Sequence, residues 1–366
     1  MMETLSQLFL APLRETFFLK SLLGGSIVAV VSGVVGCLVV LRRMAFLGDA
    51  LSHAMIAGVA GGYLFMKVLF GVEAYAPAML LGSVLAALIT VACIGFVSRV
   101  SRVKEDAAIG ILYTGIFAGG VVLVSVFRQY IHIDLMHFIM GDVLAVADAD
   151  LWASAITACL VLSAILLFFR HFQVTSFDPI MAASIGMPVL LIDYCLTTCV
   201  SLVVVSAVSM VGVILVVGLL ITPAATAYLL SDRLDRMMWL SALFGLTSVV
   251  GGLYLCVWLD SAGGGAVMLF CTLQFLVVLT LAPRYGLLAR WLRLRHMAPQ
   301  ELTEDILVAV LRQEPTPMPP DRLAGLVKTQ GNQRLALRAL AGQGLLTLSS
   351  HGVTLTPAGR AEATRV

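Results

Sequence analysis

The sequence predicts an all-α polytopic membrane protein of about nine transmembrane helices, followed by a small cytoplasmic domain of helices and one β-hairpin. Three observations predict it. The 366 residues are 60% hydrophobic and only 12% charged, with a mean hydropathy of +1.02, whereas a soluble globular chain is about 25% charged. Apolar runs of about 20 residues, each long enough to cross a bilayer, follow one another as far as residue 283. After Arg295 those runs stop and an ordinary soluble composition begins, which divides the chain at 1–295 and 299–366.

Residues 1–16 are mixed in character and suit the membrane surface. The spans then read as 17–41, 50–70, 75–97, 107–126, 150–169, 189–210, 212–230, 237–259 and 264–283. The boundary at Val211–Gly212 leaves almost no loop, so those two spans meet at a tight turn or form a broken helix. Leu135–Val146 is apolar but short and suits a re-entrant or interfacial piece. Glycines at Gly24-Gly25, Gly58, Gly61-Gly62 and Gly119-Gly120 let helix backbones approach closely in lipid. No basic stretch precedes the first apolar run, so no cleavable signal peptide is expected. The seven cysteines all lie in apolar runs and show no CxxC pairing; small apolar packing explains them.

Basic residues fix the expected orientation. Arg42-Arg43, Arg99 with Arg102 and Lys104, Arg170 with His171, Arg233 with Arg236, and Arg284 onward all fall on alternate loops. Those loops are cytoplasmic by the positive-inside rule. The N-terminus is then outside and the C-terminus inside, which requires an odd number of spans.

Beyond the membrane, Glu301–Gln313 reads as an amphipathic helix and Glu314–Pro320 as a proline-rich connector. Asp321–Thr329 and Gln333–Ala341 read as two short helices. Leu345–Leu348 and Val353–Thr356 are strands joined by a turn at Ser349–Gly352, and Pro357 opens a last helix. Helix, helix, helix, hairpin, helix is the order of a winged-helix domain.

The strongest candidate site is Asp49 with His53. An ionisable group at bilayer depth is expensive and is normally retained for a ligand or a pathway. Four residues of spacing put both on one helix face. The pair is either a transient divalent-cation site of oxygen and nitrogen ligands or a buried Asp–His hydrogen bond that fixes a helix. His137 and Asp142 could add ligands or sit at the outer mouth. Thr222-Pro223, deep in a span, frees a backbone carbonyl for the threonine or an ion, or simply kinks the helix. Gln173–Pro188 is a cytoplasmic loop with its own short helix, Asp178 as N-cap and Pro179 at the first position. It is a lever for another protein or a plain connector.

Four blocks in order then resemble the permease subunit of the manganese/zinc/iron family of ABC importers. RRMAFLGDALSHAMIAGVA is similar to the family's R-x-x-S/A-x-x-G-D-x-L-S/A-H-A-x-x-x-G-V block. MGDVLAV, SFDPIMAASIGMPV and VGVILVVGLLITPAATAYLL are similar to its three later blocks. The resemblance covers about residues 17–285. It implies the type II ABC importer permease fold, with the segment after Arg42-Arg43 re-entering the membrane. It implies that Asp49 and His53 contact the metal in transit. It also implies that Ser176, Phe177, Asp178, Pro179 and Met181 belong to a coupling helix seated on an ATP-binding cassette subunit. The expected partners are that ATPase, an extracytoplasmic metal-binding protein, membrane lipid and a second permease copy, identical or paralogous. The expected location is the bacterial inner membrane. No cofactor is expected beyond the transported Mn, Zn or Fe.

The tail LRALAGQGLLTLSSHGVTLTPAGRAEA resembles the winged helix of iron- and manganese-dependent repressors. Arg334 and Arg338 would lie on its recognition helix and could meet phosphates or guanine edges. No dimerisation or metal-sensing domain follows, so a structural, assembly or regulatory role is favoured and nucleic acid is not the expected partner. The chain lacks a GxxxxGK[ST] loop, so it is expected to be a non-catalytic subunit. The reading favours manganese, with zinc or ferrous iron as the same-class alternative. The alternative of another class is a membrane-tethered transcription regulator.

Overall fold

A computed structural model describes residues 12–71, 76–128, 143, 146–289, 291, 300–313, 318, 333–349 and 352–365. Two compact units divide at residues 279 and 280.

The first unit is helical throughout. A short 3-10 turn, Pro12–Arg14, leads into α1 (Thr16–Leu41), followed by α2 (Phe46–Phe70), α3 (Ala76–Val100), α4 (Glu105–Val126) and α5 (Asp148–Leu167). Two short helices come next, α6 (Phe169–Phe177) and α7 (Pro179–Ser184). The unit continues through α8 (Val189–Val211), α9 (Val213–Tyr228), α10 (Leu234–Leu259) and α11 (Gly263–Leu281). Among the described residues, 8 of these helices are long and apolar enough to cross a membrane. The remaining expected span, 212–230, is α9, and its 16 residues rise only about 24 Å against a hydrocarbon core of about 30 Å. Gly212, at φ 82° and ψ 163°, is the single residue between α8 and α9. That left-handed backbone is the reason the two apolar runs do not merge into one helix. Apolar α9 is largely buried, with Leu215, Val216, Leu219, Leu220 and Ala224 all in the core. It is a core segment wrapped by longer neighbours.

α1 forms the centre and packs on α5, α8, α9 and α10. Its small residues make this possible. A Cβ on Gly36 would strike the Leu220 carbonyl, and one on Gly24 or Gly25 would press on Met210 or Val249. The Ser241 hydroxyl donates to the Gly33 carbonyl at 2.8 Å, tying α10 to the same stripe. On the far side α2 packs against α3 and α4. Gly58 and Gly82 face each other so closely that either Cβ would meet the other's main chain, and Gly62 lies in the same way on Ala78. Gly120 presses against Ala57. The close-approach reading thus holds at Gly24, Gly25, Gly58, Gly62 and Gly120, whereas Gly61 and Gly119 have open space around them.

The second unit has its own apolar core of Leu302, Ile306, Leu307, Val310, Met318, Leu337, Leu340, Leu346 and Val353. It contains α12 (Gln300–Leu311), α13 (Gln333–Gly342), β1 (Leu346–Ser349), β2 (Gly352–Leu355) and α14 (Pro357–Ala363). The strands are antiparallel, Leu346 facing Leu355, and an isolated bridge joins Met318 to Val353. Thr356 caps α14 by accepting from the Gly359 amide at 3.1 Å. The expected helix over 321–329 lies outside the described residues.

Candidate functional site

α2 starts four residues before the hydropathy signal, at Phe46, so Asp49 lies in its first turn. A carboxylate there faces the positive end of the helix dipole. His53 follows one turn later, and its Nε2 stands 3.5 Å from Asp49 Oδ1. That is longer than a good hydrogen bond. One ion held by bonds of about 2.1 Å at a near-tetrahedral angle sets its two donors about 3.4 Å apart. The pair therefore has a spacing that a single cation can bridge. The side chains are 38% and 26% exposed, so neither is sealed in protein. The His53 Nδ1 is buried and has no partner among the described residues.

The imidazole is held by rings from α4. Tyr113 stacks on it at 5.9 Å between centroids, and Phe117 meets it edge-on at 5.1 Å. At about 100° per residue, Asp49 and His53 share one face of α2, while Gly58 and Gly62 lie half a turn round, against α3. Gly48 points to a third side, where Leu220 of α9 fills the space a Cβ would need. α3 and α9 thus cover two other faces, while the rings of α4 pack on the Asp49–His53 face itself and leave its two side chains partly exposed.

Thr222 and Pro223 sit on α9, two and three residues beyond Leu220. Among the described residues, neither hydrogen-bonds to Asp49 or His53. The Thr226 hydroxyl donates to the Thr222 carbonyl at 2.7 Å, beside the proline. His137 and Asp142 lie outside the described residues. No group of three or more His, Cys, Asp or Glu side chains gathers in the described part of the chain, where Asp49 and His53 stand as a pair.

The second candidate region is α6–α7. Asp178 caps α7, accepting from the Met181 amide at 2.9 Å, with Pro179 at the first position. Gly186, at φ 83°, follows the end of α7. One face is anchored through buried Phe172, Thr175 and Ala182. The other presents Phe177, Ile180, Met181 and Ile185 to the surroundings, Ile180 being 82% exposed.

Sequence reasoning missed the group that ties this region down. The Arg42 guanidinium, read only as a topology marker, donates from Nε to Ser176 Oγ at 3.0 Å and from Nη2 to Thr175 Oγ1 at 2.7 Å. Its Nη1 pairs with Asp193 on α8. Asp193 was the available signal: an acidic residue early in an apolar span needs a cation nearby. In the tail, Arg334 and Arg338 both fall on α13, and the Arg338 side chain is exposed.

Residues 14–282 match the profile of the ABC 3 transport family. The chain is 41% identical over 292 residues to the manganese transport system membrane protein MntC of Halalkalibacterium halodurans, covering 80% of this chain and 96% of that one. It is 38% identical over 285 residues to the manganese import system permease protein ScaB of Streptococcus gordonii, covering 78% and 98%. Among solved structures it is similar to PsaBC from Streptococcus pneumoniae in complex with Fab. That match has TM-score 0.67 and 34% identity, over 79% of this chain and 99% of the other. An inward-facing, putative metal-chelate type ABC transporter shares the fold at TM-score 0.54 and 18% identity, over 71% and 85%. The profile match over most of the chain and the identity to these relatives place the protein in the ABC 3 transport family.

Proposed function

We propose that the protein is the permease subunit of an ABC importer that moves a divalent transition-metal ion, manganese favoured, into the cytoplasm. Asp49 and His53 hold the ion in transit. The observation that carries this is the 3.5 Å Asp49–His53 pair, partly exposed on one face of α2, with the His53 Nδ1 unpartnered among the described residues. A carboxylate oxygen and an imidazole nitrogen suit Mn, Fe and Zn alike. The relatives are named as manganese transport and import proteins, which supports manganese. Two protein donors make a weak site, and a site on a transport path must release what it binds. Water, a second permease copy or the outer residues His137 and Asp142 complete the shell in passing, and Thr222-Pro223 lies further along the same path.

In this reading a binding protein delivers the ion from outside and two permease copies line one path. ATPase subunits, which carry out the hydrolysis, dock on the apolar face of the α6–α7 segment through Phe177, Met181 and their neighbours. The N-terminus lies outside and the C-terminus in the cytoplasm of a bacterial inner membrane, with short, largely buried α9 as the crossing that makes the number odd. The tail is a winged-helix domain with an assembly or regulatory role, Arg334 and Arg338 facing its partner.

The test is uptake by the full complex in proteoliposomes. Wild type is expected to accumulate Mn in preference to Zn and Fe(II), measured by mass spectrometry, and to keep doing so when residues 299–366 are deleted. Asp49→Ala and His53→Ala are expected to abolish uptake while expression and ATPase copurification persist. Normal uptake by both variants overturns the site. Preference for Zn or Fe(II) overturns the choice of metal.

A further inference from the structure

Arg42 is bound more elaborately than a topology marker needs to be. Its three donors reach Thr175 and Ser176 on α6 and Asp193 on α8, residues 133 to 151 positions away. Only a guanidinium offers a flat, rigid fork able to meet several acceptors at once; an ammonium is a single point charge on a flexible stem. The Arg42 side chain is 10% exposed, and hydrogen bonds to a charged group strengthen away from water.

The joint on which Arg42 sits has little slack. α1 ends in a double cap in which the Arg43 amide donates to the Val40 carbonyl at 3.1 Å and the Met44 amide to the Val39 carbonyl at 3.0 Å. Arg43 takes φ 59° to close it, a backbone normally left to glycine. The Leu47 amide then donates to the Met44 carbonyl at 2.9 Å. Asp49 follows in the first turn of α2. On the other side, Ser176 lies two residues before Asp178, the cap of α7. Beside the link runs a cleft of about 550 Å³ whose walls include Arg42, Ser176, Pro179, Asp193 and Tyr194. The cleft leaves space on the Ser176–Pro179 side of the segment, while Phe172 keeps its other side in the core.

We propose that Arg42 is a positioning residue that passes movement of the α6–α7 segment to the start of α2, and so to the Asp49–His53 pair. The proposal rests on the permease reading above and adds the residue through which ATP-driven movement reaches the ion. Pushed from the ATPase side, α7 moves α6. The three bonds of Arg42 move with it, and the short capped joint turns the first helical turn that carries Asp49.

The experiment uses the full complex in proteoliposomes, with ATP hydrolysis measured with and without manganese-loaded binding protein. Arg42→Gln is expected to recover the ATPase subunit in wild-type amount. It should lose both stimulation by the loaded binding protein and Mn uptake by about tenfold or more. Arg42→Lys, which keeps a charge against Asp193 but not the fork, recovers part of that stimulation. Asp193→Asn, which keeps an acceptor but removes the charge, falls between Arg42→Gln and wild type. A purely structural role lowers yield and leaves the ratio of stimulated to basal hydrolysis unmoved. A ratio for Arg42→Gln within about twofold of wild type overturns the proposal, as does loss of the ATPase subunit from Arg42→Gln and Arg42→Lys alike. Should Arg42→Gln fail to express, the same ratio for Arg42→Lys and Asp193→Asn decides. A wild-type complex that moves no metal counts against the permease reading. Transport by wild type with normal coupling in the variants counts against the link alone.

Discussion

Asp49–His53 and the Arg42 cluster lie seven residues apart on one helical joint, yet they are built on opposite plans. Around Arg42 three donors meet three acceptors, two of them hydroxyls, and the Thr175 hydroxyl also donates to the His171 carbonyl. Around Asp49 and His53 the two groups stand 3.5 Å apart, and one imidazole nitrogen is left without a partner among the described residues. A fully satisfied network holds one geometry. An under-satisfied pair keeps its capacity for something that arrives and leaves. The contrast teaches where rigidity and vacancy are each needed in a transporter. On the proposed reading, the closed network transmits force and the under-satisfied pair meets the cargo.

The largest test of this contrast acts on the helix both ends share. Gly58→Leu drives a side chain into the main chain at Gly82 and Ser83. With no flexible side chain to yield, the expected destabilisation is at the upper end of overpacking, about 3 kcal/mol, read as lost folded yield and a lowered midpoint in a detergent thermal scan. Phe117→Ala removes the edge-on ring that orients His53. Loss of an orienting neighbour is expected to weaken apparent metal affinity about tenfold, raising the KM for uptake more than it lowers the maximal rate. An unchanged KM would show that His53 needs no clamp. The smallest effect is expected from Asp178→Ala, which deletes the cap on the Met181 amide. It should weaken α7 by about 1 kcal/mol, measured as faster amide exchange over residues 179–184 with folded yield unchanged.

Much of this was legible because the signals were local. Asp178-Pro179 announces a helix start through the chemistry of two adjacent residues, and the structure shows that cap. The expected spans appear as helices, since apolar length alone specifies them. The start of α2 was misplaced by four residues because Arg42, Arg43 and Asp49 depress hydropathy while leaving helical geometry unaffected. The break at Gly212 was legible as a boundary with almost no loop, whereas the early end of α9 at Tyr228 was not, since the apolar run continues through Leu229 and Leu230. The Arg42 network was invisible because its partners are more than 130 residues away, and no local pattern encodes such a meeting. The ring pair on His53 comes from α4 for the same reason. The expected hairpin of the tail was displaced by one residue, since alternation fixes strands better than their ends.

The glycine seam between α2 and α3 has one further consequence. Where Gly58 meets Gly82 and Gly62 meets Ala78, peptide units touch directly, leaving no gap a water molecule could thread. This half of α2 is a seam of main chain on main chain, which any side chain larger than hydrogen at Gly58 or Gly82 would force apart.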